Sequence, residues 1–202
     1  MRASNLNAYT PLYEQLRALD VRSGGESRAP ISPDYGWNSY TADHLALIDH
    51  LGITRCHVFG ACIGVSFAFS LVQARPRLVS AVVAQNAVGG ANNCATVMAE
   101  VQQWVEEIST WPGVDPAMAA QVGQRMFGGD FLFSITREFI ATCTMPVLLM
   151  PGNDEMHPAE TTADLVRLLP RIEVLDPWKG LRHRDAAMQR VLQFCLEHTP
   201  KD

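Results

Sequence analysis

The sequence has no CxxC pair, no apolar run long enough to span a bilayer, no basic cluster, no internal repeat and no low-complexity tract. Each absence excludes a class of protein. Five cysteines, Cys56, Cys62, Cys94, Cys143 and Cys195, are odd in number and irregularly spaced, so neither a zinc site nor a disulfide framework is expected. A reducing, cytoplasmic compartment fits this usage best, with most of the cysteines acting as small core residues. A membrane helix needs about 20 apolar residues, and the opening Met1 to Asn5 lacks the apolar core of a secretory leader. A net charge of −5 without a basic patch argues against a nucleic-acid partner, and no membrane partner is expected either. Only 18% of residues are charged and 48% are hydrophobic, which excludes a disordered chain and supplies a sizeable core. At 202 residues the chain is long enough for a single domain, with or without a small insertion.

Short apolar runs alternate with helical patterns, which predicts an α/β fold with a mainly parallel sheet. Leu12, Leu16 and Leu19 predict a helix over 9–19, residues 23–27 read as loop, and the stretch on to Ser39 is rich in proline, glycine and aspartate. Thr41 is a candidate N-cap for a helix ending at Leu51, with Gly52 as its stop. Residues 56–59 read as a strand, 63–74 as a helix apolar nearly all round, and 78–84 as a central parallel strand. Between 86 and 142 the pattern turns helical, around 97–108 and 117–127, and reads as an insertion. The alternation then resumes with a strand at 146–150, a helix at 160–169 and a strand at 172–175. A last helix is predicted from about Asp185 to His198, with Met188, Val191, Leu192 and Cys195 inward. The expected organisation is therefore 1–85 and 143–202 as two parts of one core, with 86–142 inserted as a helical lid. Met98, Trp104, Trp111, Met118, Met126 and Phe127 would line an apolar pocket there or simply pack.

The chemically informative stretch is Gly60-Ala61-Cys62-Ile63-Gly64, between a strand and a buried helix. It has the form of a nucleophile elbow, G-x-S-x-G, with cysteine in place of serine. Gly60 and Gly64 would leave room for a tight turn that lifts Cys62 above the sheet at the start of the next helix. The helix dipole and free N–H groups there favour thiolate. The Ile63 N–H would point at a developing oxyanion. The alternative is a glycine-rich turn holding an inert, buried cysteine. Asp154, leaving the end of a strand where ligands collect in open α/β sheets, is a candidate acid, or a turn aspartate; Glu155 is the fallback. His183, after the last strand, and His157, beside Asp154, are rival bases. His44, His50 and His198 read as surface residues, and His57 as a satisfied interior one.

These pieces together resemble the α/β-hydrolase family. Asp20-Val21-Arg22-Ser23-Gly24-Gly25-Glu26-Ser27 is similar to its D-x-R-x-x-G-x-S loop. The stretch from Tyr40 to Ile53 resembles the helix before its nucleophile strand. Pro146 to Gly152, with Asp154 and Pro158, resembles the strand and loop that carry its acid. A cysteine nucleophile is similar to the dienelactone-hydrolase branch, which opens lactones. The resemblance implies the order nucleophile, acid, histidine: Cys62, Asp154 and His183, with His157 as the alternative base and with neither cofactor nor metal. It implies a small-molecule ester, thioester or lactone substrate, and hydrolysis or acyl transfer.

The sequence departs from that pattern at its start. The family's early strands, and the loop bearing its second oxyanion donor, have no counterpart. The chain is thus expected to be N-terminally abbreviated, a poor catalyst, and prone to form homo-oligomers through an exposed sheet edge. The competing expectation is a non-catalytic binding or interaction protein on the same fold.

Overall fold

The computed structural model describes residues 21–22, 27, 32, 34–89 and 94–200. The chain divides into two compact units, Met1–Pro30 and Ile31–Asp202, and every element below belongs to the second. The helix expected over 9–19, and all but three residues of the loop expected over 20–27, lie outside the described residues.

The sheet is four-stranded and parallel throughout, in the order β1 (Cys56–Ala61), β2 (Val79–Gln85), β3 (Val147–Met150), β4 (Ile172–Val174). Parallel neighbours need crossovers. Helix α2 (Gly64–Ala74) links β1 to β2, and α6 (Ala159–Leu168) links β3 to β4. Between β2 and β3 the chain makes three helices, α3 (Cys94–Ile108), α4 (Pro116–Phe127) and α5 (Arg137–Thr142). Helix α1 (Trp37–His50) precedes the sheet and α7 (Leu181–His198) follows it.

The central strands are apolar on both faces because both are covered. Val82, Ala84, Val147 and Leu149 pack with Val65, Phe69 and Val72 of α2 and Leu165 of α6. The alternate residues Ala81, Val83, Leu148 and Met150 pack on Ala187 and Phe194 of α7. Helices α3 and α4 share an apolar seam of their own, Val101, Val105, Ile108 and Ala119, against which Met98, Trp104 and Phe127 pack. Met126 is buried in a further cluster with Tyr35 and Val122, whereas Trp111 is about half exposed.

Most boundaries fall within a residue or two of the sequence expectation, and the differences have local causes. Helix α1 begins at Trp37, so Thr41 lies inside it and donates its hydroxyl back to the Trp37 carbonyl at 3.1 Å instead of capping. Trp37 packs on Phe67 and Phe133, which draws the chain into the helix a turn early. At the other end the expected stop is present. Gly52 has φ 65°, the Gly52 N–H bonds Asp49 and the Ile53 N–H bonds Ile48, a Schellman closure.

Helix α5 was absent from the sequence reading; the Thr136 hydroxyl caps it by accepting from the Phe139 N–H at 3.2 Å. Helix α7 also starts a turn early, after Gly180 at φ 91°, and its inward residues are Ala187, Val191, Phe194 and Cys195. Met188, expected inward, is exposed. His44 and His198, expected at the surface, are half-buried against Phe67 and Phe194; His50 is exposed as expected. His57 bonds Thr199 at 3.0 Å through Nε2, but among the described residues its buried Nδ1 has no partner, so it is only half satisfied there.

Candidate active site at the carboxyl ends of the strands

Cys62 sits in the turn between β1 and α2 with φ 56°, one of three described non-glycine residues in the left-handed region. Its N–H donates to the Gln85 carbonyl at 2.9 Å, which ties the turn to the end of β2. Its own carbonyl accepts from the Val65 N–H at 3.1 Å and so opens α2. A side chain at Gly60 would meet the Gly64 carbonyl oxygen and stand 2.5 Å from the Gly64 carbonyl carbon and 2.8 Å from the Val65 nitrogen. Only glycine lets β1 pass that close to the start of the helix. Gly64 differs: among the described residues nothing lies within 4 Å of an added Cβ. The expectation that both glycines are sterically required therefore holds for Gly60 alone.

The neighbouring Ile63 N–H works to lower the Cys62 pKa, but burial, the largest influence, pushes the thiol up, and the carboxylates of Glu100 and Asp154 add to the rise. The thiol ends above its ordinary value, so the thiolate expected from the helix dipole is not favoured. The half-buried position of the sulfur and the Glu100 charge from α3 outweigh the helix start. Burial acts the same way on Cys143, whose thiol it raises to about 11.

Asp154 lies in the loop after β3, as the strand pattern predicts. Its Oδ1 accepts from the His157 backbone N–H at 2.9 Å and contacts the His157 Nδ1 at 2.7 Å. Its Oδ2 accepts from Lys179 at 3.4 Å, and Lys179 also reaches the Asn153 carboxamide oxygen at 2.9 Å. Desolvation works to raise the Asp154 carboxyl, but the hydrogen bonds and charge of His157, with Lys179, hold it below the ordinary carboxylate range. Gly152 is needed here because a Cβ would stand 2.5 Å from that of His157.

His183 falls in the first turn of α7, with its N–H on the Gly180 carbonyl at 3.1 Å. With Asn153, Asp176, Trp178, Lys179 and Arg182 it lines a cleft of about 270 Å³. Among the described residues the side-chain partners of Asp154 are His157 and Lys179, and His183 is not one of them. Glu155 points elsewhere, accepting from Thr96 of α3 at 3.2 Å. In the sequence Lys179 stands only as one of several cations over 179–184, with Arg182 and Arg184, and Glu100 carries no signal beyond its place on an amphipathic helix.

The chain after β2 is tied to the start of α6. The Thr161 hydroxyl at the start of α6 donates to the Gly89 carbonyl, and Gly89, at φ 117°, packs its Cα against the Phe131 backbone. Among the described residues no helix is long and apolar enough to cross a membrane.

The sequence pattern of the alpha/beta hydrolase fold matches residues 15–143, which include β1, the Cys62 turn and α2. A Pseudomonas savastanoi pv. phaseolicola protein bearing the name "Putative carbamate hydrolase RutD" is 32% identical over 97% of this chain and 79% of its own length. Among solved structures, the meta-cleavage product hydrolase CumD of Pseudomonas fluorescens IP01 superposes with a TM-score of 0.65 at 18% identity, covering 89% of this chain and 78% of that one. The esterase EaEST of Exiguobacterium antarcticum gives 0.64 at 16% identity, over 87% of this chain and 79% of that one. At such identities the structures speak for the fold, and the family follows from the sequence matches: the chain belongs to the α/β-hydrolase fold family.

Proposed function

We propose that the protein is a hydrolase that opens an ester, thioester or lactone through an acyl-thioester on Cys62. The observation that carries this reading is the left-handed Cys62 at the strand-to-helix turn. The sulfur attacks the carbonyl carbon while its proton passes to the His183 imidazole and then to the leaving group. Water then attacks the thioester, its proton taken by the same imidazole, and the acid departs with the thiol restored. An alcohol or amine in place of water would make the same chemistry an acyl transfer. Asp154 orients the imidazole, and the Ile63 N–H steadies the oxyanion. A thiol raised by burial needs such a base, because little thiolate is present at neutral pH. The relative named for carbamate hydrolysis agrees with a carbonyl flanked by a heteroatom as the attacked centre.

One observation favours His157 as the base instead: it already holds Asp154 through Nδ1 at 2.7 Å, the contact that an orienting acid makes. The raised thiol favours a second reading of the whole protein, a non-catalytic binding module with Cys62 inert. Under the enzyme reading, residues 86–142 act as a lid between core segments 1–85 and 143–202. Association would occur along β1, an edge of the sheet among the described residues; a monomer by light scattering would contradict that. The reading itself is tested with p-nitrophenyl acetate, with and without iodoacetamide. Nitrophenolate release that alkylation or Cys62→Ala abolishes supports the enzyme, and inertness of the folded protein supports the binding module.

A further inference from the structure

One step past the end of β2, Asn86 combines two features that the mechanism above leaves unused. Its backbone is left-handed, φ 47°, and its side-chain oxygen Oδ1 is buried with no hydrogen-bond partner among the described residues. Asparagine takes a left-handed backbone readily, so the unpaired buried acceptor, which is costly to keep, is the feature that calls for a partner.

The position adds to this. Ala61 of β1 pairs with Gln85 of β2, and Gln85 pairs with Met150 of β3. The residues one step further on are Cys62, Asn86 and Pro151, at the carboxyl ends of three adjacent strands, where ligands bind in open α/β sheets. The backbone closes the group: the Cys62 N–H bonds the Gln85 carbonyl, and the Asn86 N–H bonds the Met150 carbonyl, each at 2.9 Å. The unpaired acceptor thus belongs to a residue flanked by the nucleophile strand and the acid strand.

We propose that Asn86 is a substrate-recognition residue of the Cys62 site, and that its carboxamide oxygen accepts a hydrogen bond from an N–H or O–H carried beside the scissile carbonyl. The preferred acyl group is then one with a donor next to the carbonyl carbon, a carbamoyl or hydroxyacyl group, over an acyl group of similar size that has a methyl there. The physical reason is asymmetric. A methyl group leaves the buried oxygen unpaired in the complex as well, whereas an N–H or O–H satisfies it at little extra desolvation cost. This inference rests on Cys62 being the nucleophile.

The carbamoyl and acetyl groups are nearly the same size, so p-nitrophenyl carbamate and p-nitrophenyl acetate differ chiefly in the donor. Nitrophenolate release from each is measured for the wild type, Cys62→Ala and Asn86→Gly, with buffer rates subtracted. Glycine accepts the left-handed backbone without strain and removes only the carboxamide. The expected result is that Asn86→Gly keeps its melting temperature while its carbamate-to-acetate rate ratio falls roughly tenfold, as for loss of one buried hydrogen bond. If Cys62→Ala is silent but Asn86→Gly keeps the wild-type ratio, the Asn86 role is overturned and the nucleophile stands. If Cys62→Ala releases nitrophenolate like the wild type, the nucleophile reading fails and the Asn86 role falls with it. A clear drop in the melting temperature of Asn86→Gly would mean that the carboxamide serves the fold, which also overturns the proposal.

Discussion

Replacing Gly60 by alanine should destabilise the protein far more than replacing Gly64, although both belong to one short motif. At Gly60 the new methyl group would meet the Gly64 carbonyl and stand 2.8 Å from the Val65 nitrogen. These are backbone atoms at the start of α2, and α2 is held in the main core by Val65, Phe69 and Val72. They cannot swing aside as a side-chain tip can. Overpacking a well-filled core costs about 1–3 kcal/mol, and a backbone clash belongs at the upper end. With about 2–4 °C per kcal/mol for a chain of this size, the melting temperature should fall by roughly 6–12 °C. Gly64 opens α2 and has no described atom within 4 Å of an added Cβ. Alanine there should be neutral or gain up to about 1 kcal/mol from helix propensity. Urea unfolding resolves the pair, provided the slope is unchanged so that the midpoint alone reports stability. Equal losses at the two glycines, or a neutral Gly60→Ala, would refute the close approach of β1 to the start of α2.

Other expectations follow from the same geometry. Iodoacetamide should label Cys62 slowly at neutral pH, with a midpoint above that of an ordinary thiol, and Glu100→Gln should lower that midpoint by removing a nearby negative charge; an ordinary midpoint unmoved by Glu100→Gln would contradict the electrostatics. His44 and His57 are held below their ordinary value of 6.5, chiefly by burial. The unfolded chain therefore binds protons first as pH falls, and the stability these residues contribute above 6.5 is lost progressively below it. Thermal melts from pH 8 to 5 should fall through that window, less steeply for His57→Gln, and a flat profile would count against burial of these rings. Gly89→Ala should impair folding, because φ 117° and the Phe131 backbone both exclude a side chain; wild-type expression and melting would refute that contact.

The parallel sheet, its order of elements and the turn at Cys62 were legible because each leaves a local mark. Ala81 to Ala84 of the second strand form an unbroken apolar run because both faces are covered, and Gly60 is forced by a close approach that any sequence making this turn must allow. What could not be read depends on partners distant in sequence. The start of α1 is set by Trp37 finding Phe67 and Phe133, and propensity alone pointed to Thr41. The thiol of Cys62 is governed by burial and by Glu100, which lies on another element. The contest for Asp154 was half visible: His157 stands three residues away, whereas Lys179 comes from the segment before α7. The helix of Arg137–Thr142 was hidden by its brevity, since six residues carry too little periodicity to register.

The most direct test of the central claim is mass spectrometry of the protein after brief exposure to p-nitrophenyl acetate, quenched in acid and digested, in the wild type and in the Cys62→Ala, His183→Ala and His157→Ala variants. The account predicts one acetyl group on the peptide containing Cys62 in the wild type, none in Cys62→Ala, and much slower acetylation in His183→Ala than in His157→Ala. The reverse order of the two histidine variants would transfer the base to His157. Acetylation spread over lysines and other cysteines, with Cys62 untouched, would contradict the account.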